Sequence, residues 1–263
     1  RGALVYTSDL EGKITKFNLT NMTHEGGFSG GKEINLYDKT IIFRSGSNNV
    51  NQRYMFHSMD ATIGQTTNSL WLYAGTGNYE RIADKSAGVQ NLLLGINDPI
   101  YPNFKNVPIG RIHDLVMCSN TTNDTTGAKC PNTPGQKGWY IELDHFKKVT
   151  AEPTVSSGLV YFPIYKPTTS VNKCSLGEAF ICGVDDECGT NVSSRLGPNT
   201  KSIHSNEKCK YVGQGVLSRI VTFAGKLFAN IAGESTQDKK DLVQLEGAAG
   251  DVSTYRNSWR SNY

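Results

Sequence analysis

Six cysteines, five histidines and one run of three acidic residues are the side chains of this chain whose types and spacing could do chemistry. None of the cysteines forms a Cys-x-x-Cys pair, which argues against a zinc ribbon or a thioredoxin-type redox site. Cys118 and Cys130 flank a polar Ser/Asn/Thr segment, while Cys174, Cys182, Cys188 and Cys209 lie in one loop-rich stretch. Disulfides are the expected use of such residues, and they place the chain in an oxidising compartment. We expect Cys118–Cys130, Cys182–Cys188 and Cys174–Cys209; the last four cysteines admit three connectivities, which stay open at this level.

Asp185-Asp186-Glu187 falls at an expected turn between Cys182 and Cys188. Hard carboxylate oxygens could bind calcium there, but a solvated hairpin tip is the expectation. Asp9 and Glu11 flank another turn, with no nucleophile or histidine near them in sequence, so a turn role is expected rather than acid/base work. His24, His57, His113, His145 and His204 are scattered, with no pair at metal-ligand spacing; His57 and His113 are candidates for burial in strands. No Gly-x-Ser-x-Gly elbow occurs. Gly75-Thr-Gly77 lacks the third glycine, the lysine and the helix of a phosphate-binding loop, and reads as a strand-end turn. Sequons begin at Asn18, Asn21, Asn120, Asn123 and Asn191; they could accept glycans in a suitable host, and an Asn- and Thr-rich chain produces them equally by chance. The site expectation is therefore catalytic none and metal none.

The elements that must position these residues read as hairpins. Leu4 to Ser8 is a short apolar and β-branched run, and Lys13 to Leu19 returns after a turn at Leu10-Glu11-Gly12, where glycine permits positive φ. Related units follow at His57–Ile63 with Ser69–Gly75, at Glu152–Phe162, and at Arg219–Ala229. The last two align, with Val155-x-x-Gly-Leu-Val-Tyr-Phe162 against Val221-Thr-Phe-Ala-Gly-Lys-Leu-Phe-Ala229. Each unit is followed by a further strand, at Gln90–Asn97, Ala179–Asp185 and Asp241–Glu246. Recurring antiparallel units separated by variable loops are the pattern of a β-propeller. The stretches Thr20–Arg53 and Ala83–Lys137 are expected to be surface insertions. Trp71 and Trp139 are expected in the core, and Trp259 on a closing strand.

Composition agrees with an all-β chain: 27 Gly and 12 Tyr among 263 residues, with 19% charged. The net charge of +3 is spread without a basic run, which argues against nucleic acid as the main partner. The longest apolar runs fall far short of the roughly 20 residues of a transmembrane helix. The reading is one domain over residues 1–263, a modified propeller with long loop insertions and disulfides, in which about four blades can be counted. Since the chain starts in mid-strand, we read it as the C-terminal part of a longer protein.

Five stretches, in order, carry a family resemblance. Val5–Leu19 is similar to "VYAGDLxGNLWRFDL", Leu72–Tyr79 to "xFGTGRYL", and Gly138–Asp144 with Lys148–Tyr161 to "GWYLDL…GERV…P…GxVxFTT". Cys174–Asp185 is similar to "PCxxGGxSWLYALD", and Tyr255–Arg260 to a C-terminal "SWRE". On these motifs the chain resembles the C-terminal domain of the PilY/PilC family of type IV pilus tip-associated adhesins. The resemblance implies a propeller outside the cell, at the surface or pilus tip after export through the periplasm, without enzymatic activity. It implies minor pilins and host or abiotic surfaces as partners. The family's calcium loop lies ahead of the first hairpin and matches no residue here, so no cofactor is expected. The loops are the expected contact regions, with Tyr79, Tyr101 and Phe104 as candidate binding residues. Two further classes stay open: a secreted quinoprotein-like or glycan-processing propeller enzyme, and a polymerising structural subunit. The adjacent cysteines a quinone enzyme would want are absent from the sequence.

Overall fold

The computed structural model describes residues 4–19, 38–104, 109–118, 137–144, 146–170, 176–190, 208–233 and 242–246. Their strands form four sheets that follow one another along the chain. In sheet 1, β1 (Leu4–Ser8), β2 (Lys13–Asn18) and β3 (Asp38–Arg44) run antiparallel. The first hairpin closes as expected, with Ser8 opposite Ile14 and Val5 opposite Phe17. Gly12 takes a φ of 68°, and a Cβ there would fall 2.9 Å from the Arg53 carbonyl oxygen; no other residue fits without displacing backbone.

Sheet 2 is built from β4 (Asp60–Ile63), β5 (Leu70–Gly75) and β6 (Leu92–Asp98), with β9 (Gly138–Glu142) beside β6. Every residue of β5 is buried, as is nearly all of β6. This is why these strands read as continuous apolar runs rather than as an alternation. A strap joins the first two sheets. It contributes β7 (Gly110–Arg111), parallel to β3, and then β8 (Val116–Cys118), parallel to β9, with buried Leu115 between them.

Sheets 3 and 4 share one plan. In sheet 3, β10 (Lys148–Val149) and β11 (Thr154–Ser156) both pair with β12 (Leu159–Lys166), followed by β13 (Glu178–Asp185) and β14 (Cys209–Gln214). In sheet 4, β15 (Val216–Leu217) and β16 (Val221–Phe223) both pair with β17 (Lys226–Ala232), followed by β18 (Leu242–Glu246). The hairpins β11–β12 and β16–β17 turn on Ser157-Gly158 and Ala224-Gly225, each with both residues at positive φ. Two-residue turns of that hand match the twist of the flanking strands, so the alignment of these segments in sequence reflects a real structural repeat.

Between successive sheets lie three apolar layers. Ile14, Ile42 and Phe43 of sheet 1 meet Leu70, Leu72 and Leu94 of sheet 2. Trp71, Tyr73 and Trp139 of sheet 2 meet Val160, Phe162 and Val184 of sheet 3. Leu159, Tyr161 and Ile181 of sheet 3 meet Leu217, Leu227 and Leu245 of sheet 4. Each sheet packs on the next as the blades of a propeller do, and the chain is all-β in a modified β-propeller fold.

Two expectations need correction. The segment Thr20–Arg53 is not wholly surface insertion, because it holds β3 with buried Ile42 and Phe43. Likewise Ala83–Lys137 supplies the strap, besides β6, which matches the strand expected at Gln90–Asn97. The expected closing strand with Trp259, and the Tyr255–Arg260 motif, lie outside the described residues.

Candidate functional site

The expected contact loop begins where β6 ends. Asp98 is buried, and its Oδ2 accepts from the Lys16 ammonium at 2.7 Å and from the Tyr6 hydroxyl at 2.6 Å. Lys16 has no exposed surface, and also donates to the Asn103 carbonyl at 2.8 Å. Its ammonium lies over the rings of Tyr6 and Phe104, 5.7 and 6.0 Å from their centroids. Burial, and then the carboxylate of Asp98, push the Tyr6 hydroxyl far above its ordinary pKa, so it remains a donor. Sheet 1 thus reaches across to sheet 2 and fixes the loop from below. Phe104 is half-buried and belongs to this anchor, whereas Tyr101 is 39% exposed at the loop's other end. The base of the loop is held by these buried polar and aromatic contacts, while the Tyr101 ring stays exposed. The rest of the loop, residues 105–108, lies outside the described residues.

A second aromatic group stands beside the Gly75-Thr-Gly77 turn. Tyr79 is 45% exposed and meets His57 edge-on at 5.3 Å. Desolvation lowers the pKa of His57 against the opposing pull of Glu152, and its buried Nε2 has no hydrogen-bond partner among the described residues. His113 is exposed in a single turn of 3-10 helix rather than buried in a strand; His24, His145 and His204 lie outside the described residues. The two glycines of the turn serve close approach: a Cβ on Gly75 would lie 2.2 Å from Val149 Cγ2, and one on Gly77 2.9 Å from Lys148 Cβ. The Gly-Thr-Gly motif is where sheet 3 touches the end of β5. At the first turn, Asp9 accepts from the Lys13 amide and Glu11 pairs with Lys13, as a turn role requires.

The acidic run departs from the expectation made for it. Asp186 and Glu187 are 7% and 6% exposed, so this is no solvated tip. The Glu187 carboxylate accepts from the amides of Thr66 and Thr67, at 2.7 and 2.8 Å, across the boundary with sheet 2. Burial raises its pKa, but these donors outweigh burial and hold it below its ordinary value. Asp185 caps its own turn by accepting from the amides of Glu187 and Cys188. The indole of Trp139 donates to the Asp186 carbonyl at 2.9 Å, the Cys118 thiol to the Cys188 carbonyl at 3.2 Å, and Lys208 to the Gly189 carbonyl at 2.9 Å. The turn Asp185–Gly189 is a clasp between sheets 2 and 3. Among the described residues, no group of three or more His, Cys, Asp or Glu side chains is arranged to hold a metal ion.

The cysteine pairing is corrected as well. Cys182 and Cys209 stand directly opposite on β13 and β14 and are joined by a disulfide. That bond excludes both Cys182–Cys188 and Cys174–Cys209. Cys188 is itself disulfide-bonded. Cys118 is buried, and its expected partner Cys130 lies outside the described residues, as does Cys174. The pairing was misjudged because β14 follows a long loop and gives little signal of its own in sequence.

Comparison with known proteins then bears on this geometry. The crystal structure of the Pseudomonas aeruginosa PilY1 C-terminal domain superposes with a TM-score of 0.59 and 15% sequence identity, over 92% of this chain and 56% of that one. This chain folds as a PilY1 C-terminal-like domain. It spans little more than half the length of the PilY1 structure that it matches. No family model matches the chain, and neither does any curated protein sequence. Within the PilY1-like fold, the "GTG" and "GWY" stretches acquire a physical reason. Gly75 and Gly77 admit sheet 3, and Trp139 fills the space left by glycines in neighbouring strands and turns. The described residues include no helix long and apolar enough to cross a membrane, which says nothing of a β-barrel.

Proposed function

We propose that this chain is a non-enzymatic binding module, the propeller domain of a type IV pilus tip-associated adhesin, working outside the cell in pilus assembly and surface attachment. The observation that carries the reading is the PilY1 C-terminal-like fold over 92% of the chain. The ordered PilY/PilC-like motifs point the same way, and a cross-strand disulfide is consistent with an oxidising environment.

The task of such a domain is to keep its loops in place under mechanical load. The stacked sheets, the strap of residues 110–118 and the buried Lys16–Asp98 pair suit that task. Minor pilins and host or abiotic surfaces are the partners this reading assigns, and Tyr101 and Tyr79 are the exposed rings it assigns to contact. Phe104 acts as the support of Tyr101. Neither a cofactor nor a metal enters the reading.

The test separates assembly from attachment. A deletion strain complemented with Tyr101→Ala should make normal amounts of sheared pili yet attach several-fold less well to the surface the wild type colonises. Tyr101→Ala together with Tyr79→Ala should lower attachment further. Wild-type attachment by the double variant, with normal surface display, would remove both rings from the contact. Normal piliation and attachment after deletion of the gene would remove the pilus role itself.

A further inference from the structure

We propose that the Asp185–Gly189 clasp is a proton-sensitive joint between sheets 2 and 3, in which the buried Asp186 carboxyl is the group that takes up the proton. Tyr73, from β5, has no exposed surface, and its hydroxyl has no hydrogen-bond partner among the described residues. The acidic groups that act on it electrostatically are Asp186, Glu187 and Asp185 from the clasp, and Asp60 from β4. Three of these four are committed to main-chain amides: Glu187 to Thr66 and Thr67, Asp185 to Glu187 and Cys188, and Asp60 to Val155. Among the described residues, the Asp186 carboxyl receives no such N–H from outside its own turn. It is nonetheless almost fully buried.

A fourth negative charge in this setting is opposed by desolvation and by its neighbours. Burial first, then Asp185 and Glu187, push Asp186 up to about 6. Burial, followed by these same carboxylates and Asp60, raises the Tyr73 hydroxyl so far that it stays protonated. The other titratable groups bonded to the clasp are the Lys208 ammonium, on the Gly189 carbonyl, and the Cys118 thiol, on the Cys188 carbonyl.

The sign follows from linkage. Because the folded form of Asp186 binds its proton more tightly than the unfolded chain does, its contribution is full at acid pH. It is lost as pH rises through about 6. Glu187 is depressed and acts oppositely: its contribution is lost as pH falls. The joint is therefore tightest in mildly acidic solution, where Glu187 is ionised and Asp186 is neutral, and it loosens at neutral pH. This proposal is independent of the pilus reading.

Amide hydrogen exchange of Thr66, Thr67 and Cys188, corrected for intrinsic rates, tests it at pH 5 and pH 7.5. Wild-type protection should fall several-fold between the two, while Asp186→Asn, a neutral isostere, should keep the pH 5 protection at both. Equal loss in both proteins, or no loss in the wild type, would overturn the proposal. Should the variant not fold, carbon-13 NMR titration of the wild-type Asp186 carboxyl decides: a midpoint near 6 supports the joint, and one in the ordinary aspartate range refutes it.

Discussion

Trp139 donates its indole N–H to the main-chain carbonyl of Asp186, at 2.9 Å, across the boundary between sheets 2 and 3. The ring fits because two glycines make room for it. A Cβ on Gly95 would lie 2.3 Å from Trp139 Cε2, and one on Gly189 2.6 Å from its Cδ2. This contact joins the largest buried side chains to the clasp, and it predicts a graded response. Trp139→Phe, which keeps a ring but leaves the carbonyl unpaired, should cost about 1–3 kcal/mol. Trp139→Ala should cost about 3–5 kcal/mol through the cavity it opens. Urea unfolding of both variants checks this, and equal losses would mean that the hydrogen bond contributes nothing.

The pair Lys16–Asp98 is buried on both sides. Lys16→Met alone leaves a buried carboxylate with only the Tyr6 hydroxyl as its side-chain partner among the described residues, a change that should cost about 3–5 kcal/mol. Adding Asp98→Asn should restore part of that loss. A double-mutant cycle reads the coupling; strictly additive losses would show that the two groups do not depend on each other.

Strict two-residue alternation places Lys16 on the same face as Ile14, and that parity was the signal available in sequence. A basic residue grouped with Lys13, Thr15 and Asn18 nonetheless reads as solvated, and only the fold reveals Asp98 beneath it. The hairpins were legible for a plainer reason: their turns carry glycine at positive φ, as at Gly12, Gly158 and Gly225, and their strands are apolar. Strands β3, β7, β8 and β14 were not, because their burial is supplied by neighbours remote in sequence. The clasp was hidden for the same reason, since nothing near Glu187 announces that its partners are the amides of Thr66 and Thr67.

Cross-linking by Cys182 and Cys209 should be recovered directly by peptide mapping under non-reducing conditions. The bond spans a sequence separation of 27, and the chain-entropy estimate for such a loop is about 3–4 kcal/mol. Serine at both positions should lower stability by about that amount. A Cys182–Cys188 peptide in the map would contradict the observed register of β13 and β14.

Lys148 gives a pH dependence of opposite direction to that of a stabilised ion pair. It is buried, its ammonium donates to the Asp84 carbonyl at 2.6 Å, and desolvation, only partly offset by Asp84, lowers it to about 8. Between pH 8 and its ordinary value of 10.5 the unfolded chain binds the proton more tightly than the folded one does, so stability should rise with pH in that window. Lys148→Met should remove that rise. Parallel profiles for the two proteins would show that Lys148 titrates normally.

The most direct test of the account is where the protein sits. Immunogold labelling of intact cells and sheared filaments, with an antibody to this domain, should place single gold particles at filament ends. Deletion of the gene should abolish both the label and piliation. Label along the shafts would indicate a polymerising subunit, and label confined to the periplasm with normal pili would contradict the adhesin reading.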